Sequence, residues 1–514
     1  MKNWVNSYSN SVPAHNSTGK DVDMLFVGVD LGTSATKFLL VDEKGEILNT
    51  VSKEYPLSFP HPGWSEQAPE EWMKACEEGI PELLQGFDSN AVAGLSVAGQ
   101  MHGLVILDEA DRVIRPAILW NDGRTFAEVD YLNNTIGKDK LSQWTGNIAF
   151  AGFTAPKILW VQKNEPENFA KIKKIMLPKD YISYCLTGVH SCDYSDASGM
   201  LLLDVEHKKW SPEMMDICNV TEAQMPKLFE SYEVIGTIKP EIAEKLGLPA
   251  GVKVTAGAGD NAAAAVGTGT VGEGACNISL GTSGTIFISA DKFGVDSLNS
   301  LHSFAHADGK FHLMGCMLSA ASCNKWFCED ILGTADYAAE QAQISEEDYG
   351  KNNVFFLPYL MGERSPINDT DASGTFIGMR MDTTRADMVL SVLEGVCFAI
   401  RDSFEVAKKI GVAVPRSNIC GGGSKSPLWR KMLAAVLGIP LDVLQTEQGP
   451  GYGAAILAMV GVGLYPDVKT ACKELVHVAE TVEPDPELTK RYQERYEKFS
   501  KIYPAVKGLF KELA

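Results

Sequence analysis

The feature that most constrains this chain is a repeated Leu-Gly-Thr-Ser motif. One copy is Leu31–Ser34 and the other is Leu280–Ser283, and each stands between two apolar runs that read as strands. A single Gly-Thr-Ser turn is unremarkable, because these residues populate ordinary turns. Two copies in equivalent hairpins, one near the start of each half-chain, indicate a duplicated domain. At 514 residues the chain also exceeds the size, about 250 to 300 residues, at which one hydrophobic core stops growing.

The segments around the first motif predict an α/β fold. Two apolar strands flank the motif, and a second turn stands at Lys44-Gly45. An amphipathic helix is predicted in the run EEWMKACEEGIPELLQGF, followed by a strand in AVAGLSVAG. This alternation is typical of mixed sheets flanked by helices. We expect a flexible N-terminal tail at residues 1–23, an N-terminal domain at 24–271 and a C-terminal domain at 272–514.

Each Gly-Thr-Ser turn can hold a phosphate without a lysine. Its backbone N–H groups and two hydroxyls can donate hydrogen bonds to an anion, and two facing turns can hold one polyphosphate. Neither a Walker GxxxxGK[ST] loop nor a protein-kinase catalytic-loop motif occurs in the chain. The predicted phosphate-binding residues are Gly32, Thr33 and Ser34 in the first turn and Gly281, Thr282 and Ser283 in the second.

Asp260 follows a predicted strand in the run VKVTAGAGDNAAAAVGTG, where an alanine-rich helix is predicted to begin. An aspartate here can cap the helix, and it can also accept or orient the proton of a hydroxyl; the two roles are compatible. The helix N-terminus is expected to keep this carboxylate ionised, with a low proton affinity. Phosphoryl transfer tolerates a weak base, because its loose transition state does not require early deprotonation of the nucleophile.

Asp30 stands at the end of the first strand, beside the first turn. It either stabilises the turn or holds a hydrated Mg²⁺ ion, which takes one or two carboxylates while it bridges nucleotide phosphates.

Two glycine patterns have alternative explanations. Gly257, Gly259 and Ala262 match GxGxxA, which occurs in dinucleotide sites, but the next strand ends in Gly-Thr-Ser where such a fold carries an acid. The run Gly421–Gly423 follows a strand and precedes an amphipathic helix. One glycine suits an ordinary loop, whereas three indicate close approach of a flat group such as adenosine.

Composition restricts the partners. The net charge of −20 would repel nucleic acid or an anionic membrane, and the sequence has no basic patch to offset it. It also has no apolar run of the roughly 18 residues that a membrane span needs. The eleven cysteines are scattered and never spaced CxxC, which favours free thiols in a reducing cytoplasm.

A series of longer motifs resembles the sugar and polyol kinase family, and within it the xylulokinases. In chain order the motifs are GQMHGLVILD, ILWNDGRT, GFTAPKILWVQ, LPKDY, SDASG, GAGDNAAAAVG, LGTSGT, LPYLMGERSP and GGGSKSPLWRKML. The resemblance covers roughly residues 25 to 510 and implies two ribonuclease-H-like, actin-like domains that close on ATP and a sugar. The implied reaction is MgATP-dependent phosphorylation of D-xylulose at O5. The expected partners are these small molecules, and the sequence is compatible with a homodimer without determining the oligomeric state.

The resemblance also implies roles for individual residues. Asp260 would be the general base and Asp30 the residue that positions Mg²⁺ with ATP, while the two turns would hold the phosphates. The implied sugar-binding residues are Met101, His102, Asp260 and Asn261, and the implied adenosine-binding residues are Gly422, Gly423 and Ser424.

The sequence does not assign a role to several conspicuous residues. The motif of Trp120, Asn121, Asp122 and Arg124 has no assigned contacts, and Arg364 in GERSP is either a phosphate partner or an ordinary loop arginine. Ala151 stands where the family commonly has proline, which bears on the rigidity of that loop and on sugar preference. Two other functions are considered: an actin-like or Hsp70-like ATPase, which would need no sugar-side residues, and a kinase for ribulose, gluconate or another polyol.

Overall fold

Two mixed seven-stranded sheets, one in each half of the chain, form the framework of the molecule. A computed structural model of the protein describes residues 24–446 and 448–513. The predicted tail at residues 1–23 lies outside the described residues. The predicted α/β class, with mixed sheets flanked by helices, is confirmed.

Within the described residues, the N-terminal half contains fifteen strands and ten α-helices. The strands are β1 (Leu25–Leu31), β2 (Ala35–Asp42), β3 (Ile47–Glu54), β4 (Glu66–Gln67), β5 (Val92–Gly99), β6 (Val105–Leu107), β7 (Ala117–Ile118), β8 (Lys174–Met176), β9 (Ser191–Asp193), β10 (Leu203–Asp204), β11 (Lys209–Trp210), β12 (Lys227–Phe229), β13 (Val234–Thr237), β14 (Lys253–Thr255) and β15 (Ala258–Gly259). The helices are α1 (Pro69–Leu83), α2 (Phe126–Asp130), α3 (Lys138–Thr145), α4 (Thr154–Asn164), α5 (Pro166–Phe169), α6 (Pro178–Thr187), α7 (Tyr194–Ala197), α8 (Pro212–Cys218), α9 (Pro240–Leu246) and α10 (Asp260–Gly267).

The C-terminal half contains the remaining strands and helices of the described residues. The strands are β16 (Cys276–Leu280), β17 (Gly284–Ala290), β18 (His302–Ala305), β19 (Phe311–Met317), β20 (Phe355–Leu357), β21 (Thr375–Ile377), β22 (Ser417–Cys420), β23 (Leu441–Leu444) and β24 (Val478–Val482). The helices are α11 (Ala321–Trp326), α12 (Tyr337–Ala342), α13 (Arg385–Lys409), α14 (Pro427–Leu437), α15 (Gly449–Val462), α16 (Val468–Leu475), α17 (Pro486–Phe499) and α18 (Ile502–Leu513).

The two sheets share the arrangement of their central strands. The N-terminal sheet has the order β13-β14-β5-β1-β2-β3, with β15 as a seventh strand that also pairs with β5. The C-terminal sheet has the order β24-β23-β22-β16-β17-β19-β18. In both, the central strand pairs antiparallel with the second strand of its hairpin and parallel with the strand on its other side. Each Gly-Thr-Ser turn joins the two strands of such a hairpin, so the repeat seen in the sequence is a repeat of structure.

Buried apolar strands and amphipathic helices build the sheets as their patterns predict. All but one of the seven residues of β1 are buried, as expected for a strand at the centre of a sheet covered on both faces. Helix α1 begins with Pro69 and carries Glu70 and Glu71 in its first turn, which suits the positive end of the helix dipole. No helix in the described part of the chain combines the length and apolar character needed to cross a membrane.

Helix α15 crosses from the C-terminal half onto the N-terminal sheet. Its buried residues pack against Phe26, Leu39 and Val41 of that sheet and against α10. The backbones approach so closely that a Cβ atom on Gly28 would lie 2.0 Å from the carbonyl oxygen of Gly451, and one on Gly453 would lie 1.8 Å from the carbonyl oxygen of Ala263. The two halves are therefore joined by direct backbone packing beneath the site described next.

Candidate active site

The first Gly-Thr-Ser turn leaves donors free at the end of β1. The Gly32 N–H donates to the carbonyls of Asp30 (3.2 Å) and Ala35 (3.0 Å), which tightens the turn. The backbone N–H groups of Thr33 and Ser34 donate to no other described residue, and Ser34 is exposed. Trp120 Nε1 donates to the Thr33 hydroxyl at 3.0 Å. No contact was predicted for this exposed tryptophan, and the structure places its ring against the turn.

The second turn is held through its carbonyls. Ala320 N–H donates to the Thr282 carbonyl at 3.0 Å, and Ala321 N–H donates to the Gly281 carbonyl at 2.9 Å. Thr282 and Ser283 are exposed, and within the described residues their own backbone N–H groups have no acceptor. Both turns thus present the unused N–H groups and hydroxyls that an anionic phosphate requires.

Asp260 and Asp30 lie within electrostatic reach of each other. Burial raises the pKa of Asp260 to about 7, and the charge of Asp30 adds to the rise. Burial likewise raises the pKa of Asp30 to about 6, although the positive charge of Lys37 opposes it. The expected low proton affinity of Asp260 is not found, because burial and the charge of Asp30 raise its pKa more than the hydrogen bond from the Asn261 N–H lowers it.

Asp260 is not the helix cap. Helix α10 begins at Asp260 itself, and Gly259 occupies the capping position with no side-chain hydrogen bond. One carboxylate oxygen of Asp260 accepts from the Asn261 backbone N–H at 2.7 Å and from its side-chain amide at 3.0 Å. The capping alternative is thus excluded, and the carboxylate is oriented by its neighbour.

The predicted sugar-binding residues meet beside Asp260. The Asn261 side-chain amide lies 4.0 Å from the Met101 sulfur. His102 has a left-handed backbone (φ 69°), and its ring stacks on Phe153 with 4.8 Å between centroids. Its Nδ1 lies 2.8 Å from the Gly199 carbonyl, so Nδ1 carries the hydrogen. Burial lowers the pKa of His102 to about 3, which leaves a neutral ring with Nε2 as an acceptor.

Two buried lysines support this group, and neither was predicted from the sequence. Lys157 Nζ donates to the His102 carbonyl at 2.8 Å and to the Gly152 carbonyl at 2.6 Å, and burial lowers its pKa to about 7. Lys179 Nζ lies 2.9 Å from a carboxylate oxygen of Asp193. The Ser195 hydroxyl donates to Asp193 at 2.5 Å and accepts from the Gly259 N–H at 3.2 Å, next to Asp260. In the sequence, the only indication that Lys157, Lys179 and Ser195 belong to the site was their position in the motifs FTAPK, LPKDY and SDASG.

Asp122 and Arg124 are structural. The Arg124 side chain is fully buried, 2.7 Å from Asp122 and 2.7 Å from Glu66, and its guanidinium lies 3.7 Å from the centroid of the Trp64 ring. Asp122 also accepts from the Ser65 backbone N–H at 2.6 Å. This buried ion pair fixes the loop that carries Trp120.

Packing explains most of the conspicuous glycines. A Cβ on Gly257 would lie 2.0 Å from the Val97 carbonyl oxygen, and one on Gly421 would lie 2.7 Å from the Leu280 carbonyl carbon. Gly423 and Ser424 are buried, and the Ser424 hydroxyl donates to the Gly421 carbonyl at 2.7 Å. Of the predicted adenosine residues only Gly422 is exposed, with open space where a side chain would be. A role for all three in binding adenosine stays a prediction.

The C-terminal half contributes to the same site. The charge of Asp260 acts on the thiol of Cys316, which lies on β19 opposite Thr285, close to the second turn. His302 packs edge-on against Phe150, with 5.1 Å between the ring centroids. It is also close enough to His102 for the two imidazoles to interact electrostatically. No sequence pattern distinguished Cys316 or His302. Asp260 therefore lies within electrostatic reach of Asp30, beside the first turn, and of Cys316, on the strand that pairs with the second turn's hairpin.

A magnesium ion fits this arrangement through Asp30 alone. The described residues contain no cluster of three or more acidic, histidine or cysteine side chains of the kind that binds a metal without substrate. Mg²⁺ in phosphoryl-transfer sites needs no such cluster, since water and the phosphates supply most of its ligands. The half-buried Asp30 carboxylate, beside the first turn, is suited to be its protein ligand.

Comparison with known proteins gives consistent results. The FGGY family of carbohydrate kinases matches with its N-terminal domain at residues 25–267 and its C-terminal domain at residues 276–462. The xylulose kinase of Escherichia coli (strain K12) is 40% identical over 481 residues, or 93% of this chain and 98% of that protein. The structure of the xyloylose (xylulose) kinase from Brucella ovis has a TM-score of 0.90 at 40% identity and covers 94% of this chain and 100% of that one. The gluconate kinase from Lactobacillus acidophilus has a TM-score of 0.90 at 28% identity, covering 96% of this chain and 100% of that one.

Proposed function

Because the chain belongs to the FGGY family of carbohydrate kinases, which phosphorylate sugars with ATP, we propose that its substrate is D-xylulose and that Asp260 is the general base. The product would be D-xylulose 5-phosphate. The observation that carries this proposal is the position of Asp260, within electrostatic reach of Asp30 beside the first turn and hydrogen-bonded to Asn261, whose side-chain amide approaches Met101. The full-length similarity to xylulose kinases supports the choice of sugar.

The proposed reaction is an in-line displacement. The O5 oxygen attacks the γ-phosphorus, the new O5–P bond forms, and the bond from that phosphorus to the β–γ bridging oxygen breaks to release ADP. Asp260 accepts the O5 proton, and with a pKa of about 7 it is better matched to this task near neutral pH than an ordinary aspartate. Bound Mg²⁺ would neutralise phosphate charge, with Asp30 as its protein ligand.

The remaining groups would bind and orient the two substrates. The N–H groups and hydroxyls of the two turns would hold the β- and γ-phosphates, and Trp120 fixes the Thr33 hydroxyl. The neutral His102 ring would accept a hydrogen bond from a sugar hydroxyl through Nε2. Lys157 holds the strained backbone at His102 through its carbonyl. The domain boundary near residue 272 and the cytoplasmic location stay predictions.

A second candidate is phosphorylation of gluconate, since a gluconate kinase has an equally similar fold. A coupled assay of ADP release across D-xylulose, D-ribulose, D-gluconate and glycerol, with Mg²⁺ present and then chelated, decides between them. We expect D-xylulose to give the highest kcat/KM and chelation to abolish turnover. If gluconate or glycerol matched D-xylulose, the substrate proposal would be wrong.

The role of Asp260 has its own test. We expect Asp260→Ala to fold and bind ATP but to lose about 10²–10⁴-fold in kcat, the usual contribution of a general base. Single-turnover phosphorylation measures the loss, and nucleotide titration confirms binding. The matched control is Asp216→Asn, on an exposed side chain of α8. Wild-type turnover in Asp260→Ala would refute the assignment.

A further inference from the structure

Arg364 is fixed by its backbone against the end of β19. It lies in the segment between β20 and β21, and the Glu363 carboxylate accepts from the N–H groups of Leu318 (2.8 Å) and Arg364 (2.8 Å). On the other side, the Ser365 N–H donates to the Cys316 carbonyl at 3.0 Å. Glu363 is only 2% exposed, so this anchor is internal. The direction in which the Arg364 side chain leaves the backbone is therefore set by β19, the strand next to the second turn's hairpin.

The side chain reaches the other half of the molecule. Its guanidinium carbon lies 5.7 Å from the centroid of the Phe150 ring, which is itself packed on His302 and Phe153. The guanidinium also approaches the Cys316 thiol. Burial raises the pKa of that thiol, the Arg364 guanidinium lowers it, and the charge of Asp260 raises it further. Arg364 and Asp260 thus approach one thiol from different halves of the chain.

The guanidinium has no anionic partner. Across residues 24–446 and 448–513, no carboxylate lies within 4.0 Å of it, whereas the buried guanidinium of Arg124 contacts Asp122 and that of Arg495 contacts Glu394. The neighbouring Glu363 carboxylate acts on this half-buried cation through its charge without contacting it, so a ligand would supply the first negative charge in direct contact. A neutral sugar cannot do so, but a phosphoryl group can, and neither turn contains a lysine or arginine of its own.

We propose that Arg364 contacts the phosphoryl group while it passes from the nucleotide to the sugar, which rests on the function proposed above. A planar guanidinium offers two parallel donors to phosphoryl oxygens, and charge that is stabilised only during transfer raises kcat rather than lowering KM. Arg364 is then the group by which the C-terminal half completes the reaction centre.

The test compares Arg364→Ala and Arg364→Lys with wild type by steady-state kinetics. We expect kcat to fall about 10²–10³-fold in Arg364→Ala, the loss typical of removing one transition-state donor, with the sugar KM little changed. Arg364→Lys should retain only a small part of the kcat that is lost in Arg364→Ala, since an ammonium group lacks the paired donors of a guanidinium. Added guanidinium ion at non-denaturing concentration should partly restore Arg364→Ala.

Arg380→Ala is the matched control, because that exposed arginine lies in the same half, outside the site. Three outcomes overturn the proposal: an unchanged kcat, a raised sugar KM at unchanged kcat, or a loss that guanidinium does not relieve. If Arg364→Ala does not fold, Arg364→Lys decides, and wild-type kcat in that variant overturns the proposal.

Wild type is assayed first on D-xylulose. If it does not phosphorylate D-xylulose, the substrate proposal fails, and the Arg364 comparison is made on whichever sugar of the panel wild type does phosphorylate.

Discussion

Burial controls the protonation of Asp260, and activity should show it. The pKa of this carboxyl is raised to about 7, and the base must be ionised to accept a proton. We therefore expect kcat/KM for the sugar to rise with pH up to about 7 and then to level off. A pH–rate profile measured between about pH 5 and about pH 9 at saturating MgATP checks this. A profile that is flat between about pH 6 and about pH 8 would contradict it.

The same shift predicts a pH-dependent stability. The folded-state pKa of Asp260 exceeds that of an ordinary aspartate, so the stability it allows at low pH is lost as pH rises through about 7. Asp260→Asn removes this loss. Its Tm should exceed that of wild type at about pH 8, and the difference should shrink toward about pH 5. Thermal scans with Asp216→Asn as control measure this, and a pH-independent difference would contradict it.

The sequence predicted which residues cluster in the site better than it predicted how buried those residues are. Asp260, Asn261, Met101 and His102 lie together as the family resemblance implies. The burial of Arg124 and Lys157 was not predictable, because charged residues are exposed by default unless paired, and their partners are distant in sequence. The proton affinity of Asp260 was mispredicted for the same reason: hydration is lost through the whole surrounding fold.

At the scale of elements, the crossing of α10 and α15 depends on the absence of side chains. A methyl group on Gly453 would lie 1.8 Å from the Ala263 carbonyl oxygen, so the helices would have to separate. We expect Gly453→Ala to lose about 1–3 kcal/mol or more of stability. Gly508→Ala is the control: Gly508 lies in helix α18 with open space around it, and the substitution should stabilise by up to about 1 kcal/mol. Equal Tm values for the two variants would contradict this reading.

The hairpins and helix α1 were predictable because local pattern determines them. The attachment of α15 to the opposite sheet was not. Its residues from Gly451 to Val460 are all buried, so its sequence has no polar face to indicate a side. Which sheet covers such a helix is decided by steric fit with partners remote in the chain.

At the scale of the whole molecule, both halves line the site, so sugar and nucleotide should bind cooperatively. His102 and Asp260 come from one half, and Cys316 and His302 from the other. A first ligand that favours closure reduces the cost of ordering for the second. We expect a coupling of about 1–3 kcal/mol, or about 5–150-fold in affinity. Titrating D-xylulose with and without MgADP measures it, and identical affinities would contradict it.

The path of α15 makes this duplicated protein indivisible. A fragment ending near residue 271 would retain every strand of the first sheet yet lack the helix that shields Phe26, Leu39 and Val41 from water. The complementary fragment would carry that helix with its apolar surface uncovered. Although the chain is a repeat in architecture, each repeat borrows part of its interior from the other, so expressing either alone should yield aggregation-prone material rather than a miniature binding module.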